Sequence, residues 1–373
     1  MMQKIQEILQ GRFADSSCKS IGHETNITDL PGLLKMAKVH GVNWLVCDEL
    51  QKNRALADSA SLVKSSREAS IAALRNCADL VKIAEISRQH SIPVVFFKGA
   101  ALAAGIHGNV AARRYCDIDL LVPSYEQAER LKRVLMAKGY RDTEELADCH
   151  TELKRQHHIE FQLVSPAGIG LDIHWRLFHE YYLQIPGNEK KIASQSFVLV
   201  CGHRIPTLSP EDHLLVLCAH HTTHCWNELR LVCDVAGLVK AFPEIDYHKL
   251  FVAARRIGAA RMLALGLQLA KLMFLLTLPE AAELELRRDR LSRMLAIILC
   301  RRLATGSSLA SKSDSLLIEI AARDSWRERL LFVWRAMISP SDNDFRFVYL
   351  QPPWLWLYYL ARPLRQIVSV LRN

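Results

Sequence analysis

The spacing of apolar residues changes character along the chain, and the changes divide it. Up to about residue 60, apolar positions recur at mixed three- and four-residue intervals. Leu33, Leu34, Ala37, Leu45, Val46 and Leu50 carry the pattern, with Gly41 as a break. That spacing lines one side of a helix, so 1–65 reads as an N-terminal helical segment. A stronger helix runs from Ser65 to His90. Ile71, Leu74, Ala78 and Val81 form its stripe, and Leu80, Ile83 and Ala84 widen it. Pro93 ends the helical pattern, because the residue before a proline is pushed out of helical geometry.

Beyond Pro93 the period shortens to two. Val94–Phe97 reads as a short strand, Lys98-Gly99 as a turn, and the small residues after it as a helix. Gly105–Tyr115 reads as a loop and Asp117–Val122 as a second strand. Ser124 then caps a helix that Gly139 stops. Residues 141–156 are polar and support no element. His158–Val164 and Ile169–Trp175 alternate as two strands around a Ser-Pro-Ala-Gly turn. The β-α-β-α-β-β series implies a small mixed-sheet domain over 66–205.

After Pro206 the helical period returns. Ser209-Pro210-Glu211-Asp212 is a helix start, with a capping serine, proline in the first turn and two acids. Helices then continue to about residue 335, giving a larger helical acceptor or substrate domain over 206–373. Met262–Leu278 is the longest apolar run, but Gln268 and Lys271 interrupt it, and a buried helix fits better than a membrane span. The tail is aromatic, and Trp354, Leu357, Tyr358, Leu360 and Ala361 are expected to cover a neighbouring element. The fold class is therefore α+β.

Composition narrows this picture only a little. The 373 residues are half hydrophobic and 23% charged, a globular balance with room for two or more domains. A formal charge of +9 allows a polyanionic partner such as RNA, a nucleotide or an acidic membrane surface, without requiring one. The ten cysteines are scattered and form no CxxC pair. With no signal-peptide pattern at the start, they read as reduced thiols of a cytoplasmic protein.

Chemistry concentrates between residues 94 and 175. Asp117 and Asp119 flank Ile118 on one strand, so both point to the same face. Adjacent carboxylates repel and raise each other's pKa, unless a cation lies between them. Mg²⁺ suits such a pair, since it takes oxygen ligands and leaves room for substrate phosphates. Asp172 sits within an apolar strand, GLDIHW, where a lone carboxylate would be expensive to bury. It is the natural third acid. Three carboxylates could hold two Mg²⁺ ions, with Mn²⁺ as the alternative. Lys98, Gly99 and Ala100 open a helix after a strand, a plausible phosphate seat. Lys98 and Arg113 are the cations nearest the acids in sequence and could contact phosphates, with a solvated surface position the alternative for each; Arg114 competes with Arg113. His174, two residues beyond Asp172, shares its strand face.

The pattern FFKGAAL, then Arg113, DIDLLV and LDIHW, resembles the nucleotidyltransferases of the DNA polymerase β superfamily. It resembles more narrowly a bacterial group of uncharacterised nucleotidyltransferases. Two departures stand out. Lys98-Gly99 replaces the Gly-Gly or Gly-Ser of the general motif, and the spacer to Asp117 is longer. The LSPEDHLLVLCAHH and LRLVCDVAGLV segments and the ARPLR ending extend the resemblance over most of the chain. It implies transfer of a nucleoside monophosphate from an NTP, presumed to be ATP, to a hydroxyl-type acceptor, with pyrophosphate leaving. Asp117, Asp119 and Asp172 would be both catalytic residues and metal ligands. The acceptor could be a small molecule, a protein or, less favoured, RNA. The alternative class is a non-catalytic or toxin-like module that binds nucleotide or RNA.

Two further clusters invite weaker readings. Cys218, His220, His221, His224 and Cys225 lack the paired spacing of a zinc site. His220 or His224 lining a substrate cleft fits better, with Arg230 and Asp234 nearby. Between Arg255 and Arg302, ten Lys or Arg face four acids. No aromatic residues interleave them as stacking platforms, so a solvated face is favoured over nucleic-acid binding.

Overall fold

The computed structural model describes residues 1–14, 27–52, 59–143, 155, 157–185, 187–305, 312–340, 344, 350, 352–360, 362 and 365. Helices α1 (Met2–Phe13), α2 (Leu30–Val39) and α3 (Asn43–Gln51) lead into the long α4 (Ala60–Gln89). Gly41 adopts φ +68° between α2 and α3, a left-handed conformation that glycine accepts without strain. On α4 the burial differs from the expected stripe. Ile71 and Leu74 are exposed, while Cys77, Leu80, Ile83 and Ile86 are buried. The polar residues Asn76, Asp79 and Ser87 share that buried side, and this blurred the pattern.

The sheet comprises β1 (Val95–Phe96), β2 (Asp117–Leu121), β3 (Arg141–Asp142), β4 (Glu160–Val164) and β5 (Gly170–His174), in the order β1-β2-β5-β4-β3. Only β2 and β5 pair in parallel; the other neighbours are antiparallel. Helix α5 (Gly99–His107) follows β1, and α6 (Tyr125–Met136) follows β2. The segment expected as a loop after Gly105 instead continues α5 to His107, and a 3-10 turn follows over Val110–Ala112. Ser124 caps α6 by accepting from the Gln127 amide. The expected tract 141–156 lies mostly outside the described residues.

A second, two-stranded sheet, β6 (Ser196–Val200) with β7 (His203–Thr207), follows the short α7 (Asn188–Ala193). Sequence analysis did not separate this hairpin. Its turn uses Cys201 and Gly202, both at positive φ, and its outer residues Phe197 and Leu199 are exposed, so the alternation is weak.

Helices α8 (Pro210–Thr223), α9 (Leu229–Ala241), α10 (Tyr247–Arg256), α11 (Ala260–Phe274), α12 (Glu280–Arg288), α13 (Arg290–Thr305), α14 (Lys312–Ala321) and α15 (Trp326–Ile338) complete the fold. The Ser209 hydroxyl accepts from the Asp212 amide at 3.2 Å and starts α8. Helix α11 is buried along most of its length, and among the described residues no helix is long and apolar enough to cross a membrane. In the tail Tyr358 is buried, but Trp354 and Leu360 are exposed rather than covering a neighbour; Ala361 lies outside the described residues.

Two hydrophobic cores position the site. One face of the sheet, with Ile118, Leu120, Leu171, Ile173, Phe161 and Leu163, packs against α4, α5 and α6. Burial of such a face is the main driving force for its assembly. The other face contributes Leu121 and Val95 to a larger core, which α1–α3 share with the C-terminal helices. The acids stand on this second face, so they look toward the helical part of the molecule.

Candidate active site

Strand periodicity and register bring the acids together. Asp117 and Asp119 are two residues apart on β2, and Asp119 pairs across the sheet with Asp172 on β5. Paired residues of neighbouring strands share a face. The same register places His174 beside Leu121, and the antiparallel pairing of β4 places Glu160 beside His174. One ligand atom each from Asp119, Asp172 and His174 lies within 4.8 Å of the other two. That is the sole such group of three potential metal ligands among the described residues. Asp117 stands outside it at the more exposed start of β2.

Glycine makes this arrangement sterically feasible. Gly99 opens α5 at φ +58°, and a Cβ there would sit 3.3 Å from the Asp117 carbonyl oxygen. A side chain at this position would be strained twice, by backbone conformation and by contact. Ala100 is buried beside the turn.

The charges form a chain. Lys98 Nζ donates to Asp119 Oδ1 at 2.8 Å, and His174 Nε2 lies 3.3 Å from the same oxygen. His174 Nδ1 lies 3.0 Å from a Glu160 oxygen. The Phe97 ring meets the His174 ring edge-on, 5.2 Å between centres, and fixes its plane. Burial works against the charge of His174, but Glu160 and Asp119 on either side raise its pKa to about 9. Burial likewise opposes charge on Asp119, yet Lys98 and His174 hold it well below the ordinary carboxylate range. Glu160 is drawn down to about 2 by His174 against the same penalty.

Asp172 goes the other way. Burial, Glu160 and the two aspartates of β2 push its carboxyl up to about 7, against the pull of His174. Asp117 is also raised, by burial and by Asp119, with Lys98 and Arg113 opposing. Four carboxyl groups thus share one face with two cations. When all are ionised, the face carries two surplus negative charges, which is the charge of one divalent cation. Asp117, Asp119 and Asp172 offer the oxygen donors that Mg²⁺ or Mn²⁺ takes. His174, protonated and bound to two acids, is a counter-ion in this state rather than a ligand.

The remaining candidates fall into two groups. Arg113 is buried and hydrogen-bonded to a different acid, its Nε 2.9 and 3.0 Å from the two oxygens of Asp234 on α9. It ties the segment before β2 to the helical part. Arg114 reaches the Lys38 carbonyl instead. His220 and His224 stack edge-to-face at 4.6 Å on the last turn of α8. Burial first, then the charge of Lys98, depress both, so they lie within electrostatic reach of the acidic face. His221 instead lies 3.5 Å from Asp234, and Cys225 Sγ reaches the Ser315 carbonyl, so the His/Cys run diverges. Glu160 is the residue that sequence analysis missed. Its signal was the polar half of the 160–164 alternation, legible only once β4 is paired with β5.

A family model described as "Uncharacterised nucleotidyltransferase" matches residues 27–275, 249 of the 373 residues. The chain belongs to this nucleotidyltransferase family. Its mixed sheet flanked by helices fits the polymerase-β-like fold, and the protein is a nucleotidyltransferase enzyme by family. Among solved structures, the antibiotic-resistance factor ANT(2'')-Ia in solution is 15% identical, with a TM-score of 0.35, over 49% of this chain and 91% of that one. A crystal structure of ANT(2")-Ia in complex with adenylyl-2"-tobramycin is 16% identical, with a TM-score of 0.31, over 48% and 95%. An antigenic nucleotidyltransferase-like protein from Paracoccidioides brasiliensis is 14% identical, with a TM-score of 0.32, over 48% and 85%. No curated protein matches the chain.

Proposed function

We propose that the acidic face of β2 and β5 transfers a nucleoside monophosphate from an NTP, ATP by preference, to a hydroxyl acceptor. In that reaction the acceptor oxygen bonds to the α-phosphorus as the bond to the pyrophosphate oxygen breaks. The acceptor loses its proton and pyrophosphate leaves. The observation that carries this reading is the pairing of Asp119 with Asp172 on a sheet face whose carboxyl groups outnumber its cations by two.

Asp117, Asp119 and Asp172 would hold the divalent cation. Bound there, it would supply charge neutralisation on the transferring phosphoryl group. Asp172, paired with Asp119 across the two parallel strands, would also take the acceptor's proton. Lys98, paired with Asp119 beside the Lys98-Gly99 turn, would contact a phosphate oxygen. His220 and His224, which feel the charge of Lys98, would line the acceptor side of the site.

The test is incubation of the full chain with each α-labelled NTP, Mg²⁺ or Mn²⁺, and pools of small-molecule, protein and RNA acceptors. Label should move to one acceptor class only with divalent metal, and Asp119→Asn and Asp172→Asn should each abolish it. Transfer that persists in both variants, or metal-independent NTP binding without transfer, would overturn the reading. The second outcome would favour a nucleotide-binding module.

A further inference from the structure

Helix α15 exposes a surface that a solvated helix does not have. Its outward half consists of Trp326, Arg327, Leu330, Leu331, Trp334, Arg335 and Met337. These recur at i, i+1, i+4, i+5, i+8, i+9 and i+11, one continuous side of the helix. Five are large and apolar, two are arginine, and none is acidic. Trp326 is 64% exposed, Leu330 60% and Trp334 61%. Of the acids near it, Glu328 is turned inward to cap the helix and Asp324 binds the first amides of α11. Single exposed apolar residues are ordinary, but a contiguous stripe of them marks an interaction surface.

Exposed apolar residues recur outside α15. Arg362 Nε donates to the Ala336 carbonyl at 3.0 Å and ties the tail to the helix at that point. Earlier in the tail Trp354, Trp356 and Leu360 are also exposed. On α14, which packs against α15, Leu316 and Leu317 are exposed as well.

We infer that this face docks on an anionic lipid bilayer surface, lying in the interface without crossing it. Charge decides among occupants. The exposed arginines need anionic partners, and the α15 stripe of a second copy offers no acid to meet them. An anionic headgroup layer supplies such partners across the whole patch. Tryptophan suits the same depth, with an apolar ring and a polar N–H at the headgroup boundary, while Leu330, Leu331 and Met337 reach the acyl region. The net charge of +9 draws the chain toward such a surface. The inference does not depend on the catalytic reading.

The experiment is flotation of the full chain with phosphatidylcholine vesicles, with and without phosphatidylglycerol, read by partitioning and tryptophan emission. Binding to the anionic vesicles with a blue shift, weakened by salt, is expected. Trp326→Ser with Trp334→Ser should lower partitioning about tenfold. Arg327→Gln with Arg335→Gln should remove the preference for anionic over neutral vesicles, with a loss of roughly tenfold. Thermal unfolding of both variants should match the parent, because the replaced side chains are exposed; if the tryptophan variant fails to fold, the arginine variant still decides. The inference is overturned if the chain stays in the aqueous phase with both vesicle types, or if both variants bind as the parent does. It is also overturned if sedimentation shows a dimer that the tryptophan variant dissolves, which would assign the face to a second copy.

Discussion

Asp119 and Asp172 occupy paired positions on the two parallel strands of the sheet, yet their carboxyl groups are held in opposite states. Asp119 is fixed as an anion by Lys98 and His174, whereas Asp172 is pushed toward its neutral form. The difference comes from neighbours rather than from burial, since both are removed from water. In the metal-free protein the pair thus combines a fixed anion that anchors Lys98 and His174 with a carboxyl whose ionisation the surroundings oppose.

Stability should separate the two in metal-free protein. Asp119→Asn leaves Lys98 and the buried His174 without their shared anion, and unpaired buried charge costs about 3 kcal/mol. Asp172→Asn removes a carboxyl whose ionisation the fold opposes, so it should leave stability unchanged or raise it by about 1 kcal/mol at pH 8. Denaturant unfolding in EDTA measures both. Equal destabilisation by the two variants would contradict the charge arrangement described above.

Much of this site was legible from residue order, because a strand's period of two fixes which side chains share a face. Asp117, Asp119, Asp172 and His174 could be placed on faces of their own strands in that way. Which strands would be neighbours could not be read locally. The β4–β5 pairing that sets Glu160 beside His174 links residues 14 apart in sequence, and the tie between Arg113 and Asp234 spans 121 residues. Arg113 looked like a phosphate contact because its nearest acids in sequence are the aspartates of β2. Its actual partner comes from a helix that packs only in the finished fold. The hairpin at 196–207 was missed for a related reason: exposed Phe197 and Leu199 spoil the alternation that marks a half-buried strand.

The Arg113–Asp234 tie predicts a rescue. Arg113→Met alone takes from a fully buried carboxylate its hydrogen-bonded cation, leaving His221 at 3.5 Å, and should destabilise the protein by about 3 kcal/mol. Asp234→Leu alone strands the arginine, with a loss of the same order. The double variant removes both charges and should recover most of the loss, giving a coupling energy of several kcal/mol in a double-mutant cycle. NTP binding by the double variant then separates structure from recognition. Binding retained at parental strength assigns Arg113 to the fold alone, and a selective loss assigns it a phosphate contact as well.

Gly99→Ala should act on both stability and the site. The φ of +58° disfavours any side chain by about 1 kcal/mol, and the new Cβ presses on the Asp117 carbonyl. A modest drop in melting temperature is expected, with a much larger loss of metal-dependent nucleotide binding by calorimetry. A drop in stability with unaltered binding would show that the start of β2 yields without moving the acids.

The acid limb of stability has a definite source in His213. It is buried on α8, and its Nε2–H donates to the Phe97 carbonyl at 2.6 Å, just before the Lys98-Gly99 turn. Burial drives its pKa down to about 4, against the opposing effect of that hydrogen bond. In the unfolded chain the ring titrates at its ordinary value of 6.5. The folded state therefore binds fewer protons between these two values. This contribution is fully present above pH 6.5, shrinks as pH falls, and is gone below about 4. The slope is about 1.4 kcal/mol per pH unit within the window, and the total about 3 kcal/mol. His213→Gln keeps an N–H for the Phe97 carbonyl but cannot titrate. Denaturant unfolding of the variant at pH 7 and pH 5 should show a pH dependence shallower than the parent's by about 2 kcal/mol over that interval. Parallel pH profiles for parent and variant would show that the ring titrates in the fold as it does in the unfolded chain and that another group carries the acid sensitivity.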